Sequence, residues 1–376
     1  MEILLALLGA GLLFWLQSLF YRRKWADGLE ADIHFTEEAV NEGDTSSLTE
    51  TVTNRKLLPL ITLQVKFHVS KKLRFLNEEN TVVTDNTYRN DIFSLLSYEK
   101  IERKLPFVCT GRGYYQIREL DLISNDLFLT NKSVLTRPLA TTLYVYPKPV
   151  DYALLDVPFQ KMTGAILTKR YAFEDPFEFR GIRPYQTYDS MKDINWKVSA
   201  KTGDWKVNVH NYTSSRQVTI LLDLSSNSNW RYDRLFEESI RIAASYADRL
   251  IAAGIPTRLV SNGLDTETGQ ELVLPYGAGT RHTDTIKKGL ARLDSAKDAQ
   301  DFLPYLKKET EDAKSSSSFY ILISRIMSGT FLAEYNTLCG LCPGSQWIAP
   351  LHKDMDFLPE RCPNAVSMKW EVSYSE

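Results

Sequence analysis

Cysteine is scarce, and that sets the first boundary. Four thiols in a chain of 376 residues cannot make a disulfide framework, which fits a reducing compartment. Charge of one sign is lacking too: 45 Lys and Arg against 47 Asp and Glu leave a net −2, so no basic excess points to nucleic acid. The five histidines are scattered, none beside a nucleophile. The G-x-x-x-x-G-K-[ST] phosphate loop, the G-x-S-x-G elbow and the H-E-x-x-H zinc helix are all missing. Gly111 and Gly113 lack the third glycine and following helix of a dinucleotide loop. No internal repeat is visible, and the one low-complexity piece is the serine run 315–318.

What is present is globular in composition, with 43% hydrophobic and 24% charged residues, and long enough for two or three domains. Residues 3–20 are apolar except for Gln17 and Ser18. Eighteen residues rising about 1.5 Å each reach roughly 27 Å, close to the ~30 Å hydrocarbon core of a bilayer. Arg22, Arg23 and Lys24 follow at once. That order predicts a retained single span over residues 1–25 in the cytoplasmic membrane, with the N-terminus outside and the soluble domains cytoplasmic. Residues 28–150 carry SSLTETVTN, ITLQVKFHVS, YYQIRELDLI and TTLYVYP, the alternation of half-buried strands, and predict a β-sandwich. Over 217–350 the period changes. QVTILLDL is a run suited to a parallel strand buried on both faces. Leu235, Phe236, Ile240, Ala243, Ala247 and Leu250 then recur at helical spacing, and Gly254 and Pro256 end that helix. Further strands near 257–261 and 319–323 flank a helix near 283–293. The grammar is that of a doubly wound α/β domain, leaving 351–376 as a tail.

Between these domains, residues 171–201 pack five carboxylates, five basic side chains and seven aromatics. The aromatics have area to bury, so the charges beside them need partners. Arg180 and Arg183 are the fork-shaped donors, with Glu178, Asp189 and Asp193 as acceptors. The order RGIRPYQ, Asp189, INWKVSAKTG resembles the signature of the bacterial and archaeal family called domain of unknown function 58. Arg180, Gly181, Arg183, Tyr185, Asp189, Trp196 and Lys197 are the matching positions. Tyr188 stands where the family usually has glycine, and Asn195 where it has aspartate. The resemblance implies an immunoglobulin-like sandwich, then the signature segment over 151–216, then a von Willebrand factor type A-like domain. It also implies a MoxR-type AAA ATPase as partner.

The first buried strand ends in Asp223-Leu-Ser225-Ser226-Asn227, at the end of a parallel strand where ligands bind. Asp223, Ser225 and Asn227 present hard oxygens that suit Mg²⁺ or another divalent cation, and resemble the first element of an adhesion-type metal site. Thr280 is a candidate for a further ligand. Where that motif has a later aspartate, Ser324 and Arg325 stand instead, and an arginine opposes a cation. Asp223 and Ser225 then have a plainer use, capping a helix or pairing with Arg325. Cys339, Cys342, His352 and Cys362 make a possible zinc set, against the plainer reading of small buried thiols. These expectations add up to a membrane-anchored adaptor, without catalysis of its own, for a MoxR-type AAA ATPase, its client unspecified. The competing classes are a metal-assisted hydrolase using Asp189, Asp193 and Asp223, and a purely structural envelope protein.

Overall fold

A computed structural model describes residues 2–126, 128–156, 159–160, 179–187, 189–210, 217–226, 232–294, 299–315, 318–357 and 366–374. Two compact units divide the chain, Met1–Lys148 and Pro149–Glu376.

In the first unit, helix α1 (Glu2–Lys24) precedes ten strands: β1 (Leu29–Phe35), β2 (Ala39–Asn41), β3 (Thr45–Asn54), β4 (Leu60–Ser70), β5 (Leu73–Phe75), β6 (Thr81–Val83), β7 (Asn86–Leu95), β8 (Lys100–Cys109), β9 (Gly113–Asn125) and β10 (Lys132–Tyr146). They form a four-stranded sheet, β1-β3-β8-β5, and a six-stranded sheet, β2-β10-β9-β4-β7-β6. Period-2 alternation puts Leu48, Val52, Leu105 and Phe107 of one sheet into a common core with Leu63, Val65, Leu120 and Leu122 of the other. The chain crosses between sheets at residues 110–112. There the Tyr115 hydroxyl donates back to the carbonyls of Gly111 (2.7 Å) and Arg112 (3.0 Å), the bonding of a tyrosine corner. Gly113 is needed beneath that ring, because a Cβ there would lie 2.6 Å from Tyr115 Cζ.

Among the described residues, no helix is long and apolar enough to cross a membrane. This overturns the single span, the outside N-terminus and the membrane localisation expected from residues 3–20. Beyond Gln17 the helix belongs to the sandwich. Ser18 Oγ accepts from Asn131 Nδ2 at 2.7 Å, the Tyr21 hydroxyl bonds Ser124 Oγ at 2.9 Å, and Tyr21 and Trp25 join the core.

The second unit begins with a small lobe. Strands β11 (Phe179–Pro184) and β12 (Lys206–His210) pair antiparallel and frame a 3₁₀ turn (Met191–Asp193) and helix α2 (Trp196–Thr202). Beyond it lie β13 (Val218–Leu222), α3 (Asp233–Ala252), β14 (Thr257–Leu264), β15 (Glu271–Gly277), α4 (Thr280–Arg292), α5 (Leu303–Ala313), β16 (Phe319–Ile323), α6 (Gly329–Leu341), β17 (Gln346–Leu351) and β18 (Val366–Glu371). The sheet runs β15-β14-β13-β16-β17-β18, all parallel but for β15. All five side chains of β13 and of β16 are buried, because helices cover both faces. One face packs α3 and α4 residues around Ile240, Ala243, Leu250 and Leu290, and the other packs Leu306, Phe331, Tyr335 and Trp347. Each large apolar side chain so buried contributes about 1.5–3 kcal/mol. Gly254 ends α3 in the left-handed region (φ 74°), with Ile255 N–H donating to the Leu250 carbonyl at 2.9 Å. Residues 351–376, expected as a tail, include β18, which pairs with β17 over six positions.

Candidate functional site

Strand order in the α/β sheet makes β13 and β16 neighbours while β14 lies on the other side of β13. The gap beyond the carboxyl ends of β13 and β16 is therefore the topological switch point, where such folds bind ligands. Asp223 leaves β13 there and Ser324 leaves β16, tied by Asp223 N–H donating to the Ile323 carbonyl at 3.0 Å.

The Asp223 carboxylate is closed. It is 3% exposed, with Ser225 at 5% and Ser324 and Asn262 at 0%. Its Oδ1 accepts from Ser225 N–H (2.8 Å), Ser225 Oγ (2.5 Å) and Asn262 Nδ2 (3.3 Å), and its Oδ2 accepts from Ser324 Oγ (2.6 Å). Burial pushes its carboxyl above the ordinary range, while the Ser225 and Ser324 bonds and the Arg325 charge pull it back. Arg325 donates to the Ser225 carbonyl from Nε (3.4 Å) and Nη2 (3.1 Å). Its guanidinium lies 4.6 Å from the Phe236 ring centre and 5.3 Å from that of Tyr232. Burial lowers its pKa, and the Asp223 charge opposes that shift. The two oxygens thus have four donors with a positive charge nearby, so the residues present do not fit a divalent cation. Asn227 lies outside the described residues. Thr280 opens α4 and is exposed.

The signature positions divide differently. Arg183 and Asp189 form a fork-on-fork pair, Nη1 to Oδ2 at 2.7 Å and Nη2 to Oδ1 at 2.6 Å, and Gln186 N–H adds a third bond at 2.8 Å. The Arg183 bond is the leading cause that holds the Asp189 carboxyl below its usual value. The pair is not buried, since the Arg183 side chain is 38% exposed. Asn195, the family's usual aspartate, caps α2 by accepting from Val198 N–H at 3.0 Å and donates to Asn208 Oδ1 at 2.7 Å. Nothing lies within 4 Å of a Cβ built on Gly181. Tyr185 meets Trp205 edge-on at 5.5 Å. Trp196 is 61% exposed, a correction to the expected aromatic burial, and Lys197 beside it is exposed as well. Tyr188, Glu178 and the side chain of Arg180 lie outside the described residues.

Sequence reasoning passed over Trp205, Ile182 and Met191, exposed by 52%, 40% and 58% on the same lobe. A tryptophan just after a Gly-Asp turn was the available signal for Trp205. It also passed over Ser324 and Asn262 as partners of Asp223. Among the described residues, no three His, Cys, Asp or Glu side chains gather as metal ligands would. Cys339 and Cys342 are buried in the α6 layer, His352 Nδ1 lies 2.8 Å from the Val372 carbonyl oxygen with its ring stacked on Tyr374, and Cys362 is outside the described residues. Asp189 is salt-bridged and Asp223 enclosed, so the carboxylates named for hydrolysis stand in separate settings.

Residues 181–336 match the family model described as Protein of unknown function DUF58. That stretch of the chain belongs to the DUF58 family. No curated protein matches the sequence. Among solved structures, the CARDB domain of the PF1109 protein from Pyrococcus furiosus is similar at 16% identity, covering 31% of this chain and 93% of that one, with a TM-score of 0.20. Native alpha-2-macroglobulin from Escherichia coli, from domain MG7 to the C-terminus, is similar at 17% identity over 31% of this chain and 17% of that one, TM-score 0.24. A non-cellulosomal cohesin from Archaeoglobus fulgidus gives 11% identity, 31% and 91% coverage, and a TM-score of 0.20. Likenesses this slight carry no argument, so the DUF58 match and the chain's own geometry bear the functional reading.

Proposed function

We propose that the chain is an adaptor that binds a MoxR-type AAA ATPase through its second unit and leaves the ATP chemistry to that partner. The observation that carries this reading is the lobe of residues 181–208. Trp196, Trp205, Ile182 and Met191 stand in water there on a frame fixed by the Arg183–Asp189 pair and the α2 cap. Exposed tryptophans on a rigid frame are favoured anchors for a protein interface, since they bury large area at little entropy cost. The same segment carries Arg183, Lys192, Lys197, Lys201 and Lys206 against Asp189, Asp193 and Asp204, a net positive balance that favours an acidic partner surface. A cation bridge above Asp223 is no part of this reading, because that carboxylate is satisfied internally. The von Willebrand factor type A-like character of the α/β domain and the ATPase partner rest on resemblance to the family. In a test, purified full-length chain is immobilised and a MoxR-type ATPase from the same genome is passed over it. Saturable binding that falls at least about tenfold in a Trp196→Ala, Trp205→Ala double variant supports the proposal. Binding unchanged by the double variant, or absent, removes it.

A further inference from the structure

A cavity of about 330 Å³ opens between α5 and the β14–β15 edge of the sheet, at the lower end of the size range of small-molecule sites. Its charged groups are arranged with unused capacity. Arg258, at the start of β14, donates from Nη1 to Glu309 Oε2 at 3.0 Å, their side chains 20% and 2% exposed. A guanidinium has five N–H donors, and among the described residues this is the one hydrogen bond the Arg258 side chain makes, its guanidinium also lying 5.9 Å from the Tyr276 ring centre. Lys308, next to Glu309 on α5, adds a second cation to that end of the cavity. Burial pushes Glu309 above the ordinary carboxyl range, and the Arg258 charge is the main opposing influence, so the pair is already balanced without a ligand.

The other end is acidic. Glu271 lines it together with Tyr305, whose hydroxyl pKa is pushed up to about 12 first by burial and then by the Glu271 carboxylate, and Asp301 lines the same cavity from the chain just before α5. Between the two ends lie apolar walls: Val260 and Val273, which are register partners across β14 and β15, and the Tyr305 ring, stacked on Phe302 at 5.4 Å. Register sets the scale. Arg258 is two residues from Val260 on one strand, and Glu271 two residues from Val273 on the other, on the opposite side of the pair. At about 3.3 Å per residue those four steps put the two backbone positions at least ~13 Å apart, and the long Arg258 and Glu271 side chains that line the cavity span part of that distance. The two charges of an α-amino acid are too close together to bridge that span.

The geometry points to a binding site for an ω-amino carboxylate: a carboxylate held in the free fork of Arg258, an ammonium among Glu271 and Asp301, and a methylene chain on the valines and Tyr305. Two sources share this chemistry, a free ω-amino acid and a polypeptide ending in lysine, whose terminal carboxylate and side-chain ammonium have the same spacing. The inference is independent of the adaptor reading.

Calorimetric titration of the full chain with ε-aminocaproate tests it, with caproate, hexylamine and leucine as controls. The expected result is saturable binding at or below ~10 mM, with each control at least about tenfold weaker. Nα-acetyl-lysine binding more tightly than ε-aminocaproate assigns the source to a chain terminus, and the reverse order assigns it to a free amino acid. Arg258→Gln weakens binding about tenfold or more. Because that change strands Glu309 and can unfold the domain, Val273→Arg, which fills the cavity from a half-exposed position and leaves the ion pair intact, is the second variant and abolishes binding. No binding of ε-aminocaproate, equal binding of caproate or leucine, or undiminished binding to Val273→Arg overturns the site.

Discussion

The two units each bury a carboxyl group, and they solve the problem in opposite ways. Asp223 in the second unit is surrounded by donors: two serine hydroxyls, an amide and a backbone N–H, with Arg325 close by. Glu50, on β3 of the sandwich, is 0% exposed, and among the described residues neither of its oxygens has a hydrogen-bond donor. The arginines of its neighbourhood are committed elsewhere. Arg89 forks onto Asp91 at 2.9 and 3.0 Å, and Arg103 reaches the same carboxylate at 3.2 Å. Burial first, and then the Asp91 charge, push Glu50 up to about 8. Held neutral, its carboxyl adds no second negative charge beside Asp91. A buried acid is thus tolerated either by hydrogen-bonding its oxygens or by holding its proton.

The sharpest way to break this contrast is Asp223→Ala. It leaves Ser225, Ser324 and Asn262 donors in the interior with Arg325 beside them, and should cost about 3 kcal/mol or more in urea denaturation. Asp223→Asn, which keeps acceptor capacity, should cost clearly less. A loss below ~0.5 kcal/mol for the alanine variant would mean that the cluster is solvated.

Glu50 sharpens the comparison through pH. The folded chain keeps a proton on Glu50 up to about pH 8, whereas the unfolded chain releases it near the ordinary value of 4.5. Between those values unfolding releases a proton, so this group makes stability fall as pH rises, and its effect levels off above pH 8. Glu50→Gln, which donates an amide N–H in place of the carboxyl, should flatten the profile and raise stability at pH 9 by about 2 kcal/mol. An unchanged pH profile of Tm in that variant contradicts the assignment.

The smallest effect is expected at Arg183→Ala. The Arg183–Asp189 pair has ideal fork geometry, but the guanidinium is more than a third exposed, and water screens such pairs. Its loss should lower Tm by less than Asp223→Ala does. A fall matching that of Asp223→Ala would show that the signature lobe is buried by a partner or by neighbouring chain.

How far the sequence carried the fold follows from what periodicity can report. It showed strands where side chains alternate, as in ITLQVKFHVS, and where QVTILLDL leaves no polar face. It showed the end of α3 in Gly254 and Pro256. It could not show which strand ends meet. Asp223 was visible as a charge at the end of an apolar run, but Ser324 and Asn262 approach it from β16 and β14, more than 35 residues away in sequence. Glu50 was invisible for a related reason: in SSLTETVTN it occupies one step of an ordinary alternation, and only the facing sheet reveals Asp91. Residues 3–20 misled because an apolar run was read without the residues after it, where Tyr21 and Trp25 of the same helix join the sandwich core. The exposed Trp196 reverses the same inference, since a large aromatic need not be buried when it serves a surface.

The strand-end carboxylate of the α/β domain is satisfied from within. Its most direct test is the Tm of the full chain with Mg²⁺ or Mn²⁺ raised to ~10 mM, because a ligand that binds only the folded state raises stability by mass action. The account predicts no shift. A rise of several degrees that disappears in Asp223→Asn would contradict it.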